Sequence, residues 1–179
     1  MSGFQSLYQA PEYYIGVKIA DSLKLELPKY NIRFETNVAD VLEAAGSHHK
    51  ARNNQNLRPN GRFDIVVFNS DEEPVYVFEI KHKLYNLSGN FEDDIKRLHF
   101  ALPRGETIKR AIFVYWTGAD TNNRRPALNI IKDTHNNISK FVKNEYNDHN
   151  PLISIGKTYE YPGDDESPDW AWSSGVIVF

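Results

Sequence analysis

The chain has 179 residues, 40% of them hydrophobic, which suits one α/β domain whose core needs no covalent staples. It contains no cysteine, which excludes disulfides and cysteine-based zinc sites. Its net charge of −3 excludes a whole-molecule field that attracts nucleic acid, so any such binding must rest on local clusters.

The first six residues carry neither a basic region nor an apolar run. No stretch approaches the length of a membrane span, so a soluble, cytoplasmic protein without membrane partners is expected. Residues 11–27 read as a helix. Pro11 suits its first position, and Ile15, Ile19, Leu23 and Leu27 recur at four-residue spacing, with Tyr14, Val17 and Leu25 broadening the apolar surface. Residues 32–38 suit a strand, and 38–45 are open between helix and strand until Gly46 ends them. A polar loop follows. Its span 48–62 holds Lys50, Arg52, Arg58 and Arg62 and no acid, a composition that fits either a phosphate-bearing ligand or a solvated loop.

Two apolar runs then form a hairpin, 61–68 and 75–81, around the turn-like Asn69-Ser70-Asp71-Glu72-Glu73-Pro74. Residues 90–102 predict a helix with Phe91, Ile95, Leu98 and Leu102 on one side, stopped by Pro103 and Gly105. Residues 110–116 suit a buried strand and 127–146 a third helix. Residues 152–161 suit one strand, 162–168 a loop and 170–179 a last strand. No repeat or domain boundary interrupts this order. It predicts a mixed sheet with helices on its faces, in a single domain over 1–179.

The hairpin carries the chemistry. Asp64 lies near the start of its first strand, and Glu79 and Lys81 close the second; charges at such places are expensive unless paired. If Asp64 faces Glu79 across an antiparallel pair, the midpoint of the connection falls between Asp71 and Glu72, in the middle of the turn segment. Strand alternation then puts Asp64, Val66 and Phe68 on one face with Val75, Val77, Glu79 and Lys81, and Ile65, Val67, Tyr76, Phe78 and Ile80 on the other. Neighbouring strands lie about 4.8 Å apart. Two carboxylates so placed can both reach a magnesium ion at roughly 2.1 Å. A hard cation there would polarise a phosphodiester oxygen, with the lysine orienting or deprotonating a water.

At Asp64 and Glu79-Ile80-Lys81, with a helix before and the helix containing Phe91-Glu92-Asp93-Asp94-Ile95-Lys96-Arg97-Leu98 after, the chain resembles the PD-(D/E)XK nuclease superfamily. The resemblance implies a restriction-endonuclease-like αβββαβ core over about 11–116, with a C-terminal helix and strands added. It implies a magnesium-dependent nuclease, with manganese as a substitute, cleaving nucleic acid, DNA foremost. Asp64 and Glu79 match the metal ligands, Lys81 the catalytic lysine, and the Ile80 carbonyl would be a further ligand. Many members also carry a Glu on the first helix; Glu12 is the best match, ahead of Glu35 and Glu43, and its alternative role is a helix N-terminal acid favoured by the macrodipole. Phe63 stands where the family pattern has Pro.

Other residues are weighed against plainer roles. Arg62, Lys83 and Arg97 are candidates to meet nucleic-acid phosphates. For Lys83 the alternative is a solvated strand exit; for Lys96 and Arg97 it is an exposed helical face paired with Asp93 and Asp94. Asp94-Ile95-Lys96 repeats the acid-x-lysine pattern but lies on a helix, where alternate residues do not share a face. His48-His49 lacks a third ligand at useful spacing, and His99, His135 and His149 read as ordinary surface or helix residues. Arg124-Arg125 and the aromatic residues, 13% of the chain, offer further contacts to nucleic acid, though most rings suit core or interface. Cutting both strands of a duplex calls for a homodimer or a larger complex. The competing reading is a catalytically inactive nuclease fold that serves as a nucleic-acid-binding or assembly module.

Overall fold

A computed structural model describes residues 12–47, 60–82, 84, 89–102, 106–121, 125–163 and 169–179. The first helix, α1, runs Glu12–Glu26. Ile15 and Ala20 are buried, and Ile19, Leu23 and Leu27 pack beside them, as the four-residue spacing predicts. Tyr14 and Leu25 do not widen this surface. They stand on the outer side of the helix at 45% and 82% exposure, because each lies a residue or two from the buried row, outside its arc.

The strand β1 (Asn31–Asn37) leads directly into α2 (Val38–Ala44), which settles the segment that the sequence leaves open. Local caps decide it. Asn37 Oδ1 accepts the N–H groups of Ala39 and Asp40 at 2.9 and 3.3 Å. At the other end Gly46 adopts φ +87°. Ser47 N–H donates to the Leu42 carbonyl at 2.8 Å and Gly46 N–H to the Glu43 carbonyl at 3.1 Å, a Schellman closure.

The remaining elements are β2 (Arg62–Phe68), β3 (Pro74–Lys81), α3 (Gly89–Ala101), β4 (Arg110–Asp120), α4 (Ala127–Glu145), β5 (Leu152–Ile155), β6 (Tyr159–Tyr161) and β7 (Trp170–Val178). The expected strand over 152–161 is therefore two. Between the pairs Ile155↔Gly175 and Tyr159↔Trp172, residues 156, 157 and 158 face only 173 and 174, and this bulge breaks the ladder.

The strands form one seven-stranded mixed sheet in the order β1-β2-β3-β4-β7-β5, with β6 also on β7. β3 and β4 pair in parallel, joined by the crossover through α3; the other pairs are antiparallel. Among the described residues, α1 covers one face through Ile65, Val67, Phe78 and Ile80. On the other face α2, α3 and α4 pack on Val66, Val77, Phe113, Tyr115 and Ile177 in the larger core. The hairpin is thus apolar on both faces, as predicted. Among the described residues no helix is long and apolar enough to cross a membrane.

Candidate metal and catalytic site

The β2–β3 ladder pairs Ile65 with Phe78, Val66 with Val77 and Val67 with Tyr76. These pairs follow the register that the turn position predicts; continued one step it would set Asp64 opposite Glu79, but the ladder stops before that pair. The register slips once, from Val67↔Tyr76 to Phe68↔Pro74, and the skipped residue is Val75. Val75 therefore joins Ile65, Val67 and Phe78 on the α1 side rather than Val77 on the other.

The expectation that Asp64, Glu79 and Lys81 share one face needs correction. The regular ladder ends at Ile65–Phe78, and the strands part at the residues that carry the acids. In this fork the side chain of Asp64 replaces a ladder bond: Ile80 N–H donates to Asp64 Oδ2 at 2.5 Å. On its other edge the β1–β2 register passes from Phe34↔Ile65 to Thr36↔Phe63, which sets Glu35 opposite Asp64; Glu35 holds φ +48°, and alternation breaks there. Phe63 and Val66 consequently sit in the same core, although strict alternation would separate them.

Asp64 opens on the α1 side into a pocket of about 200 Å³, lined also by Glu12, Tyr13, Gly16, Phe34, Glu35 and Ile80. The first turn of α1 thus puts Glu12 on the same pocket as Asp64. Glu12 also reaches past the lysine, where its Oε2 accepts His82 N–H at 2.9 Å and ties α1 to the exit of β3. Glu35 is exposed at the rim, and Glu43 is exposed on α2. Burial pushes the Asp64 carboxyl up to about 6; the Ile80 hydrogen bond opposes this, and the charges of Glu12, Glu35 and Asp94 add to it.

Glu79 and Lys81 turn instead to α3. Glu79 is 3% exposed, and Arg97 Nε donates to its Oε1 at 2.7 Å. Arg97 NH2 donates to Asp94 Oδ1 at 2.8 Å, and Lys81 Nζ lies 2.8 Å from Asp94 Oδ2. Burial raises the Glu79 carboxyl well above the ordinary range, against the pull of Arg97. Burial works against the Lys81 ammonium, but the hydrogen bond and charge of Asp94 outweigh it and hold Lys81 above the ordinary lysine value.

Asp94 is the participant that the sequence reading sets aside. Its triplet with Lys96 is a helical accident, but its i,i+3 partner Arg97 shares its buried face, and that spacing was the available signal. Arg97 itself is 6% exposed between two carboxylates, so it does not face a substrate phosphate here. Lys96 lies outside this network and pairs with Glu92 at 4.0 Å, not with Asp93 or Asp94. Arg62 is exposed at the start of β2. Arg125 pairs with Asp133. His135 is a helix residue, as expected, buried in α4 with Nδ1 2.8 Å from the Tyr115 hydroxyl. Lys83, Arg124, the pair His48-His49 and the basic loop before Gly61 apart from Asn60 lie outside the described residues.

Among the described residues no three His, Asp or Glu side chains gather closely enough to hold a metal ion. The donor set is nonetheless of the right chemistry. Glu12 and Asp64 are hard oxygen donors on one pocket, and the like charges that raise Asp64 are what a divalent cation relieves. Arg97 takes one oxygen of Glu79, the acid on the strand next to Asp64. Compared with protein-family models, curated proteins and solved structures, the chain matches none.

Proposed function

We propose that the protein is a magnesium-dependent nuclease of the PD-(D/E)XK type that hydrolyses phosphodiester bonds in DNA in the cytoplasm. One observation carries this reading: at the end of the β2–β3 ladder, Asp64 meets the helix-borne Glu12, with Glu79 and Lys81 one strand away. The order α1, β1, β2, β3, α3, β4, with α1 and α3 on opposite faces and β3 parallel to β4, supports the restriction-endonuclease-like core.

Asp64 and Glu12 would hold the cation, with Glu79 and the Ile80 carbonyl completing its protein ligands. When bound, the ion supplies Lewis-acid polarisation of the phosphodiester and a more acidic water. The residues do the rest. Ile80 N–H fixes the Asp64 carboxylate, and His82 N–H fixes Glu12. Lys81, held by Asp94, presents an ammonium beside the carboxylates to orient the attacking water and offset developing negative charge. Arg62, exposed on β2, and Lys83 are the proposed phosphate contacts.

The direct test is incubation of circular and linear DNA, single- and double-stranded, with magnesium or manganese. Cleavage is expected, and Lys81→Ala is expected to abolish it while circular dichroism stays unchanged. Undiminished cleavage by that variant removes the mechanism. A second reading, a binding or assembly module without catalysis, is favoured by the way Glu79, Arg97, Asp94 and Lys81 satisfy one another internally. Calorimetric titration separates the two: magnesium or manganese binding that Asp64→Asn removes supports the nuclease, and no binding supports the module.

A further inference from the structure

Glu79, Asp94 and Arg97 are 3%, 6% and 6% exposed, in a region otherwise packed with apolar side chains. So deep a set of charges must be mutually compensated, and Arg97 does this by bridging two carboxylates, Glu79 through Nε and Asp94 through NH2. Across the fork the sign is reversed. Asp64, Glu12 and Glu35 bring three acids to one pocket.

We propose that Arg97 is a resident counter-ion that Glu79 exchanges for the divalent cation. The inference rests on the metal-dependent reading above and adds to it a competitor built into the fold. Glu79 sits on the strand next to Asp64, close enough to feel its charge, so a cation held by Asp64 and Glu12 would compete with the guanidinium for its carboxylate. Arg97 is not stranded by the exchange, because Asp94 keeps hold of its NH2. A guanidinium stays charged at every accessible pH, so the exchange is governed by cation concentration rather than by protonation. Two consequences follow. Without metal, the buried Glu79 is never left unpaired. With metal, the affinity is lower than Asp64, Glu12 and an unpaired Glu79 would confer.

The experiment is calorimetric titration of manganese into the full chain as wild type, Arg97→Gln and Lys96→Gln. Lys96 is the neighbouring cation on the outer side of α3, so its loss removes the same charge without freeing Glu79. Arg97→Gln is expected to bind manganese about tenfold more tightly than wild type, and Lys96→Gln to bind like wild type. Arg97→Gln binding no tighter than Lys96→Gln overturns the exchange. Should Arg97→Gln fold poorly, thermal melts with and without manganese decide the same question. The ion must raise the Tm of Arg97→Gln by more than that of wild type, and equal rises overturn the proposal. DNA cleavage is scored separately: tighter binding by the variant with no cleavage by wild type leaves the exchange standing and removes the nuclease.

Discussion

Asp64 concentrates the electrostatics of the site in one side chain. Its folded carboxyl titrates at about 6, against 3.8 for an ordinary Asp. The folded state therefore binds this proton more tightly than the unfolded chain. Its contribution is most favourable below about pH 4 and is lost as pH rises through 6. Above that range the charged, partly desolvated group costs the metal-free fold on the order of 2–3 kcal/mol. Asp64→Asn keeps an oxygen for Ile80 N–H and removes the charge. In chelator-containing buffer at pH 8 it is expected to raise stability by about 1–3 kcal/mol, with the gain vanishing below pH 4. Urea denaturation at the two pH values measures this; a variant no more stable than wild type at pH 8 contradicts it. At this scale the sequence was partly readable. Unpaired acids in apolar strands flagged Asp64 and Glu79, while the burial of Asp94 and Arg97 against Glu79 stayed hidden because a charged helix residue looks alike whether it faces water or a buried partner.

At the scale of elements, two glycines make opposite predictions. Gly16 sits in α1 against the sheet, and a Cβ there would meet Ile80 Cδ1 at 3.5 Å and Phe34 Cε1 at 3.8 Å, ordinary contact distances. Gly16→Ala is expected to stabilise the protein by about 0.5–1 kcal/mol, since helix interiors favour Ala. Gly175 in β7 lies against the ring of Tyr115, and a Cβ would overlap Cζ, Oη and Cε1. Tyr115 cannot retreat, being 1% exposed and bonded to His135. Gly175→Ala is expected to destabilise by about 1–3 kcal/mol. Chemical denaturation of the two variants in parallel checks both signs. Element boundaries were legible where a strong local signal marks them, as Gly46 does for the end of α2; the Asn37 cap that makes 38–44 a helix emerged only in the structure. The split between β5 and β6 was not legible, because a bulge depends on the register of the partner strand β7.

For the whole molecule, the sheet divides the helices unequally. Among the described residues only α1 covers the first face, burying Ile15, Gly16 and Ala20. α3 alone buries Phe91, Asp94, Ile95, Arg97, Leu98 and Ala101 within the larger core. Less buried apolar surface means a lower free energy of local opening. Hydrogen exchange read by mass spectrometry is expected to show α1 losing protection before α3. Because Glu12 accepts from His82, the β3 exit should loosen with it. Equal protection of α1 and α3 would contradict this asymmetry.

Periodicity and turn chemistry in the sequence alone determined most of the elements, the apolar character of both hairpin faces and the hairpin register from Ile65–Phe78 to Val67–Tyr76, because these are set by neighbours along the chain. What lies across the fork was decided only in three dimensions. Glu35 turns to positive φ beside Asp64, the ladder ends at Ile65–Phe78, and α3 lands with Arg97 and Asp94 over Glu79 and Lys81. Alternation assumes an unbroken strand, and a buried charge takes whichever partner the packing delivers. That is why the residues of the site were readable in advance while their pairing was not.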